Sequence, residues 1–157
     1  MRSTECRIWN AEVTIHNQRM LNSFRKWTSK ELITRTGSPE QDAQILFEVS
    51  FAVVSHGIES EPIFKYGNKK ALELFEMDWD EFTKMPSRNS AESIHQEQRA
   101  KFMDKVTRNG FVDNYQGVRV SKTGRRFLIK GAIVWNVLNE DGNYCGQAAT
   151  FDKWEYL

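Results

Sequence analysis

Cysteine and proline are scarce, at two and three residues in a chain of 157. Cys6 and Cys145 stand near opposite ends and fit neither zinc-ligand spacing nor a disulfide framework. No structural metal is therefore expected, and the thiols read as the free cysteines of an intracellular protein. Charge of one sign is missing as well. Lys and Arg total 22 against 21 Asp and Glu, for a net charge of +1, so no broad field draws the chain to nucleic acid or anionic lipid. The densest basic run, Ser121 to Arg126, reads as a solvated hairpin tip. Nowhere do about 18 apolar residues run together, and the first residues lack the apolar stretch of a secretory leader. The expectation is a soluble, cytoplasmic protein with no membrane partner and no direct nucleic-acid partner. H-x-x-x-H, G-x-S-x-G, phosphate-loop and paired-carboxylate motifs are absent too, which leaves no recognisable catalytic constellation.

What is present is a globular balance of 39% hydrophobic and 27% charged residues, enough at this length for one core without disulfides. Trp9, Val13, His16, Met20, Phe24 and Trp27 recur at spacings of three and four, which predicts one apolar stripe on a helix from Trp9 to about Ile33. Ser38 as N-cap and Pro39 at the first helical position predict a second helix, to about Phe47. Residues 1–47 thus read as a helical extension, and residues 48–157 as the main domain.

The composition then turns β-branched and aromatic. "EVSFAVVSHGI" and "PIFKY" predict two paired strands. Asn68 is placed to cap a helix carrying Ala71, Leu72, Leu74 and Phe75. Asp78 with Glu81 forms an acidic capping box for a further helix with Trp79, Phe82 and Met85, stopped by Pro86. Ser93 and Gln96 form another capping pair, ahead of a helix with Ala100, Phe102, Met103 and Val106 facing inward and closed by Gly110. Three long strands in two hairpins follow, from Phe111 to Phe151. The order predicts an α+β fold: a five-stranded antiparallel sheet with helices on one face and room for a cavity between them.

This order and its punctuation resemble the PAS domain. "PIFKYGNKKALELFEMDWDEFTKMPSRNSAE", "RNGFVDNYQGVRVSKTGRRFLI" and "AIVWNVLNEDGNYCGQAATF" narrow the likeness to the MEKHLA domain, a PAS-related family found alone and at the C-terminus of plant homeodomain-leucine zipper factors. The resemblance implies sensing or protein interaction, with a PAS-like pocket whose occupant it does not name. "SRNSAES" is similar to the flavin-adduct motif of light-sensing PAS domains. Ser90 stands in place of its cysteine, Leu128 and Ile129 stand where that class has Asn, and Gln147 falls one residue early, which would turn it to the other face. Flavin is therefore not expected. Nor is haem, for which His95 has position as its only credential.

Gly117, Gly131 and Gly146 fall one in each late strand, where glycine marks a bulge, a bend or a close approach. If they face the helices they enlarge a cavity. Its expected polar lining is His56, Arg88, Asn89 and Gln147, with Phe75, Trp79, Tyr115 and Trp135 as apolar walls. Arg88 would grip a carboxylate or phosphate of a small-molecule ligand, or else pair with Glu92. The alternative to this non-catalytic sensor is a small cone-shaped α+β enzyme using His56 or His95 with Asp113. Trp9, Val13, Met20, Phe24 and Trp27 are the expected interface, to a second copy or to a regulatory protein, with folding back onto the chain's own sheet as the competing outcome.

Overall fold

The computed structural model of the chain describes residues 10–90, 101–102 and 104–157. The first helix, α1, spans Ala11–Thr28, where the side chain of Asn10 accepts the Val13 N–H and Ser29 closes the end in the left-handed region. The second, α2, spans Pro39–Glu48 with Ser38 as cap. Strands β1 (Ala52–His56) and β2 (Phe64–Gly67) follow, then the short helices α3 (Lys69–Phe75) and α4 (Trp79–Phe82), and a 3-10 turn over Ser87–Ser90. The Asp78–Glu81 capping box that starts α4 is formed in both directions. Residues 104–109 are helical, and Gly110 closes them with a φ of 96°. The Ser93–Gln96 capping pair, Ala100 and Met103 lie outside the described residues.

The remainder is strand: β3 (Phe111–Val120), β4 (Arg126–Leu138), β5 (Tyr144–Phe151) and β6 (Lys153–Tyr156). The sheet is antiparallel with the order β2-β1-β5-β4-β3, and β6 pairs with β4. The sixth strand departs from the expected five, and its register explains why. Ile133 faces Thr150 across β4 and β5, and Lys130 faces Lys153 across β4 and β6, three residues on along each chain. The last two strands are one line of pairing, interrupted at Phe151 and Asp152.

Asn68 joins the helices to the sheet. Its side-chain oxygen accepts the N–H groups of Val53, at 3.0 Å, and Ala71, at 3.2 Å. Its amide donates to the carbonyls of Leu46, at 3.1 Å, and Phe51, at 2.9 Å. One fully buried side chain thus caps α3, ends α2 and registers β1.

The sheet is covered on both faces. On the inner face, Phe75 and Phe82 of α3 and α4 pack with Phe64, Phe127, Ile129 and Phe151. On the outer face lies α1, whose Met20, Leu21 and Phe24 meet Trp135, Val137 and Val53. Phe24 stands edge-on to Trp135 at 4.9 Å, and the Trp135 indole donates to the Met20 carbonyl at 3.2 Å. Helices on one face only was therefore an incomplete expectation. The apolar stripe of α1 folds back onto its own sheet: Met20 and Phe24 are buried, and Val13 and Trp27 pack partly buried against the same cluster. The predicted interface residues are thus taken up by core packing, while Trp9 lies outside the described residues.

Candidate functional site

Two compensating bulges shape the inner face. Between the pairs Val112↔Val134 and Tyr115↔Ala132, β3 inserts an extra residue, with Asn114 at a φ of 57°. Between Tyr115↔Ala132 and Gly117↔Ile129 the extra residue belongs to β4, where Gly131 takes a φ of 63°. Bulges of this kind bend a strand and re-aim its side chains. The segment between them presents Tyr115 and Ala132 to a cavity, which Phe75, Ile129, Val134 and Phe151 help to wall.

The cavity has a volume of about 40 Å³, room for roughly two or three waters, since one needs about 10–15 Å³ on this measure. Pockets for drug-sized ligands are about 300–1,000 Å³. Two of this cavity's walls are the rings of Phe64 and Phe75, whose centres lie 6.1 Å apart.

Its polar groups are few. His56, at the end of β1, lines it and bonds through Nδ1 to the Gly57 carbonyl at 3.0 Å. Gln147 on β5 lines it too, its amide donating to Thr107 Oγ1 at 3.0 Å and Asn136 Oδ1 at 3.2 Å. The expectation that Gln147 turns to the other face is thereby corrected. Asn136 carries the contact further. Its amide donates to the carbonyls of Val106 and Thr107, its backbone N–H to that of Gly110, and its own carbonyl accepts the Trp27 indole at 2.9 Å.

The third polar group is one the sequence reasoning missed. Arg119 on β3 is only 8% exposed and lines the cavity. Its guanidinium donates to the Tyr115 hydroxyl at 3.1 Å and to the Val118 carbonyl at 3.0 Å, and lies 5.7 Å from the Tyr115 ring centre. Strand alternation could have found it, because Tyr115, Gly117 and Arg119 fall two apart on one face.

The structure brings His56, Phe75, Tyr115 and Gln147 together around this cavity. The other expected members lie elsewhere. Arg88 is on the surface, its side chain 57% exposed and 3.6 Å from Glu61, because the 3-10 turn faces it away from the sheet; Glu92 lies outside the described residues. Asn89 is exposed in the same turn. Trp79 stands edge-on to Tyr66, and Trp135 lies beneath α1, both in the outer-face cluster. Asp113 is exposed at the β3 bulge and does not line the cavity, and His95 lies outside the described residues. Ser90 is buried and donates its hydroxyl to the Ser87 carbonyl at 2.7 Å. Among the described residues no group of His, Cys, Asp and Glu side chains is arranged to hold a metal, and no helix is long and apolar enough to cross a membrane.

The glycines divide by role. A methyl group on Gly146 would overlap the His56 carbonyl oxygen, so this residue permits close approach of β1 to β5. The space beside Gly117 is filled by the Tyr115 hydroxyl. Neither leaves open volume.

A larger hollow, of about 470 Å³, opens on the other side beside the start of α1, lined by Glu12, His16, Glu59, Lys65, Trp79 and Asp80. His16 is 4% exposed, with Nε2 2.7 Å from the Ser55 hydroxyl and Nδ1 without a partner among the described residues. Burial, reinforced by Lys65 and Arg19, lowers its pKa from 6.5 to about 3, so the ring is neutral. Burial also raises the pKa of the Tyr66 hydroxyl.

A cavity between an antiparallel sheet of this order and short helices on its inner face defines the PAS class of domain, and solved structures agree. The PAS domain of a protein from Colwellia psychrerythraea superposes with a TM-score of 0.62 at 16% identity, covering 73% of this chain and 95% of that one. An RNA-binding light-oxygen-voltage receptor gives a TM-score of 0.64 at 14% identity, over 77% of this chain and 35% of that one. These likenesses establish the fold. Residues 14–156 match the MEKHLA domain, and the chain belongs to that family. Among curated proteins it is similar to homeobox-leucine zipper protein HOX10 of Oryza sativa subsp. indica, 25% identical over 136 residues. It is also similar to HOX32 of Oryza sativa subsp. japonica, 23% identical over 137 residues. Each match takes 86% of this chain but only 16% of the relative's length.

Proposed function

We propose that this chain is a non-catalytic sensory or regulatory domain that admits a small molecule between its sheet and its inner-face helices. PAS-like architecture and MEKHLA membership support the sensory or regulatory role. The observation that carries the ligand reading is the inner cavity itself: apolar walls on which His56, Arg119 and Gln147 converge. Apolar walls with a few placed polar groups are the usual composition of a ligand site.

The catalytic alternative has less support, because Asp113, the expected acid, does not share a cavity with His56. A regulatory protein is the partner that best suits the reading. Dimerisation through α1 loses its physical basis once the apolar stripe is spent on the core. The homeobox-leucine zipper relatives carry this domain as a small part of their length, which fits a regulatory module working beside other functions. Its near-balanced charge supports no direct contact with nucleic acid, and a cytoplasmic location is the compartment proposed with this reading.

Native mass spectrometry of the purified full chain, set against its denatured mass, tests the ligand reading. A small organic molecule released on denaturation is the expected result. A chain that carries none, and that no compound in a metabolite panel stabilises against heat, would overturn it.

A further inference from the structure

Arg119 presents a physical problem. The residue is only 8% exposed and its guanidinium is part-buried beside Tyr115 and Val118, yet it forms no ion pair among the described residues. Its two acceptors, a phenol and its neighbour's carbonyl, are both neutral. Three of the five N–H donors of a guanidinium remain after those two bonds. A buried charge without a counter-charge is costly, and arginine does not shed its proton to escape that cost. Exposed cations nearby behave otherwise: Lys122 pairs with Glu81, and Lys130 with Glu155 at 2.6 Å.

We infer that the cavity takes a small organic anion, a short-chain carboxylate whose head is held by Arg119 and whose apolar tail lies against Phe75, Ile129 and Phe151. This rests on the ligand reading above and names its chemical class. The geometry suits such a molecule on three counts. The guanidinium fork matches a planar carboxylate. Tyr115, already bonded to Arg119, fixes the fork in place, and the bulge at Asn114 fixes Tyr115. The small volume and mostly apolar walls suit an acid of about two carbons and leave no room for a second charged group.

The test uses the full chain labelled with nitrogen-15 and titrated with acetate, with acetamide as the neutral isostere. Acetate should shift the amide resonances of Gly117, Ala132 and Ala149, and bind at least about ten-fold more tightly than acetamide, the difference a charge-assisted pair confers. Arg119→Gln should abolish that preference. Should the variant fail to fold, the preference in the unmodified chain remains decisive by itself, together with its loss as acidification protonates acetate. Equal binding of acetate and acetamide would overturn the anion assignment while leaving a ligand cavity standing. Cavity resonances unmoved by either compound would overturn it as well, and native mass spectrometry then judges the cavity reading separately.

Discussion

The imidazole Nε2 of His16 on α1 lies 2.7 Å from the hydroxyl oxygen of Ser55 on β1, both buried between helix and sheet. Burial is the largest cause of the lowered His16 pKa, with Lys65 and Arg19 adding to it. The unfolded chain binds a proton near 6.5 and the folded chain only near 3, so folding excludes that proton across the interval. The contribution of neutral His16 to stability is therefore complete above about pH 6.5 and lost progressively as pH falls toward 3. At about 1.4 kcal/mol per unit, the whole interval is worth at most roughly 4–5 kcal/mol. Urea unfolding at pH 7.5, 6.5 and 5.5 should show a decline that His16→Gln removes, in a window where carboxylates have hardly begun to protonate. A flat profile in the unmodified chain would contradict the buried neutral ring.

Asn68→Ala should cost about 4 kcal/mol or more. The substitution removes a helix cap, worth about 1 kcal/mol, and strands two buried carbonyls and a strand N–H at about 1–3 kcal/mol for an unsatisfied group. Asn68→Asp should also destabilise, because the carbonyls of Leu46 and Phe51 would then face a carboxylate in place of an amide donor. Denaturant midpoints measure both. A loss below 1 kcal/mol for the alanine variant would mean the four bonds are replaceable.

Gly146→Ala should destabilise by about 3 kcal/mol or more. The backbone there has a φ of 150°, and the added methyl would run into the His56 carbonyl, which belongs to a paired strand and cannot swing aside. Gly124→Ala is the control. Gly124 also has a positive φ, of 86°, but nothing lies near its added methyl, so its cost should be limited to about 1–2 kcal/mol of backbone strain. Similar losses for the two would remove the close-approach explanation.

Phe24→Ala should cost about 3–5 kcal/mol, the usual range for emptying a buried aromatic site. A chain beginning at Ser38 should fail to fold cooperatively, because Trp135 and Val137 would lose their cover. Sedimentation and near-ultraviolet circular dichroism of that shortened chain check this. A well-folded product would return α1 to the status of an appendage.

Local chemistry was the most readable part of the sequence. Asn68, Ser38 and the Asp78–Glu81 pair announce helix starts through hydrogen bonds within three residues, and each cap forms where the residues stand. Contacts across the sheet were harder. Trp135 and Gln147 were both expected at the cavity, yet Trp135 pairs with Ala148 and Gln147 with Asn136, on opposite faces. Only the register of the β4–β5 hairpin separates them. The choice between Arg88 and Arg119 turned on shape. Arg88 sits in a motif and drew notice, while Arg119 sits in plain alternation two residues beyond a glycine. The stripe on α1 was legible as apolar, but its spacing is the same whether it meets a partner or its own sheet.

Asn136 gives the two faces of the sheet a common mechanical joint. Its side chain is bonded to Gln147 at the inner cavity, and its carbonyl to the Trp27 indole of the outer helix. A ligand that drew Gln147 away would strip a buried oxygen of its donor, and the peptide of Asn136 could restore that bond only by shifting the anchor of Trp27. The indole is therefore a gauge of what happens on the far side of the sheet. In the full chain labelled with nitrogen-15, the indole N–H resonance of Trp27 should move when the cavity fills, and hold still once Gln147 is replaced by leucine.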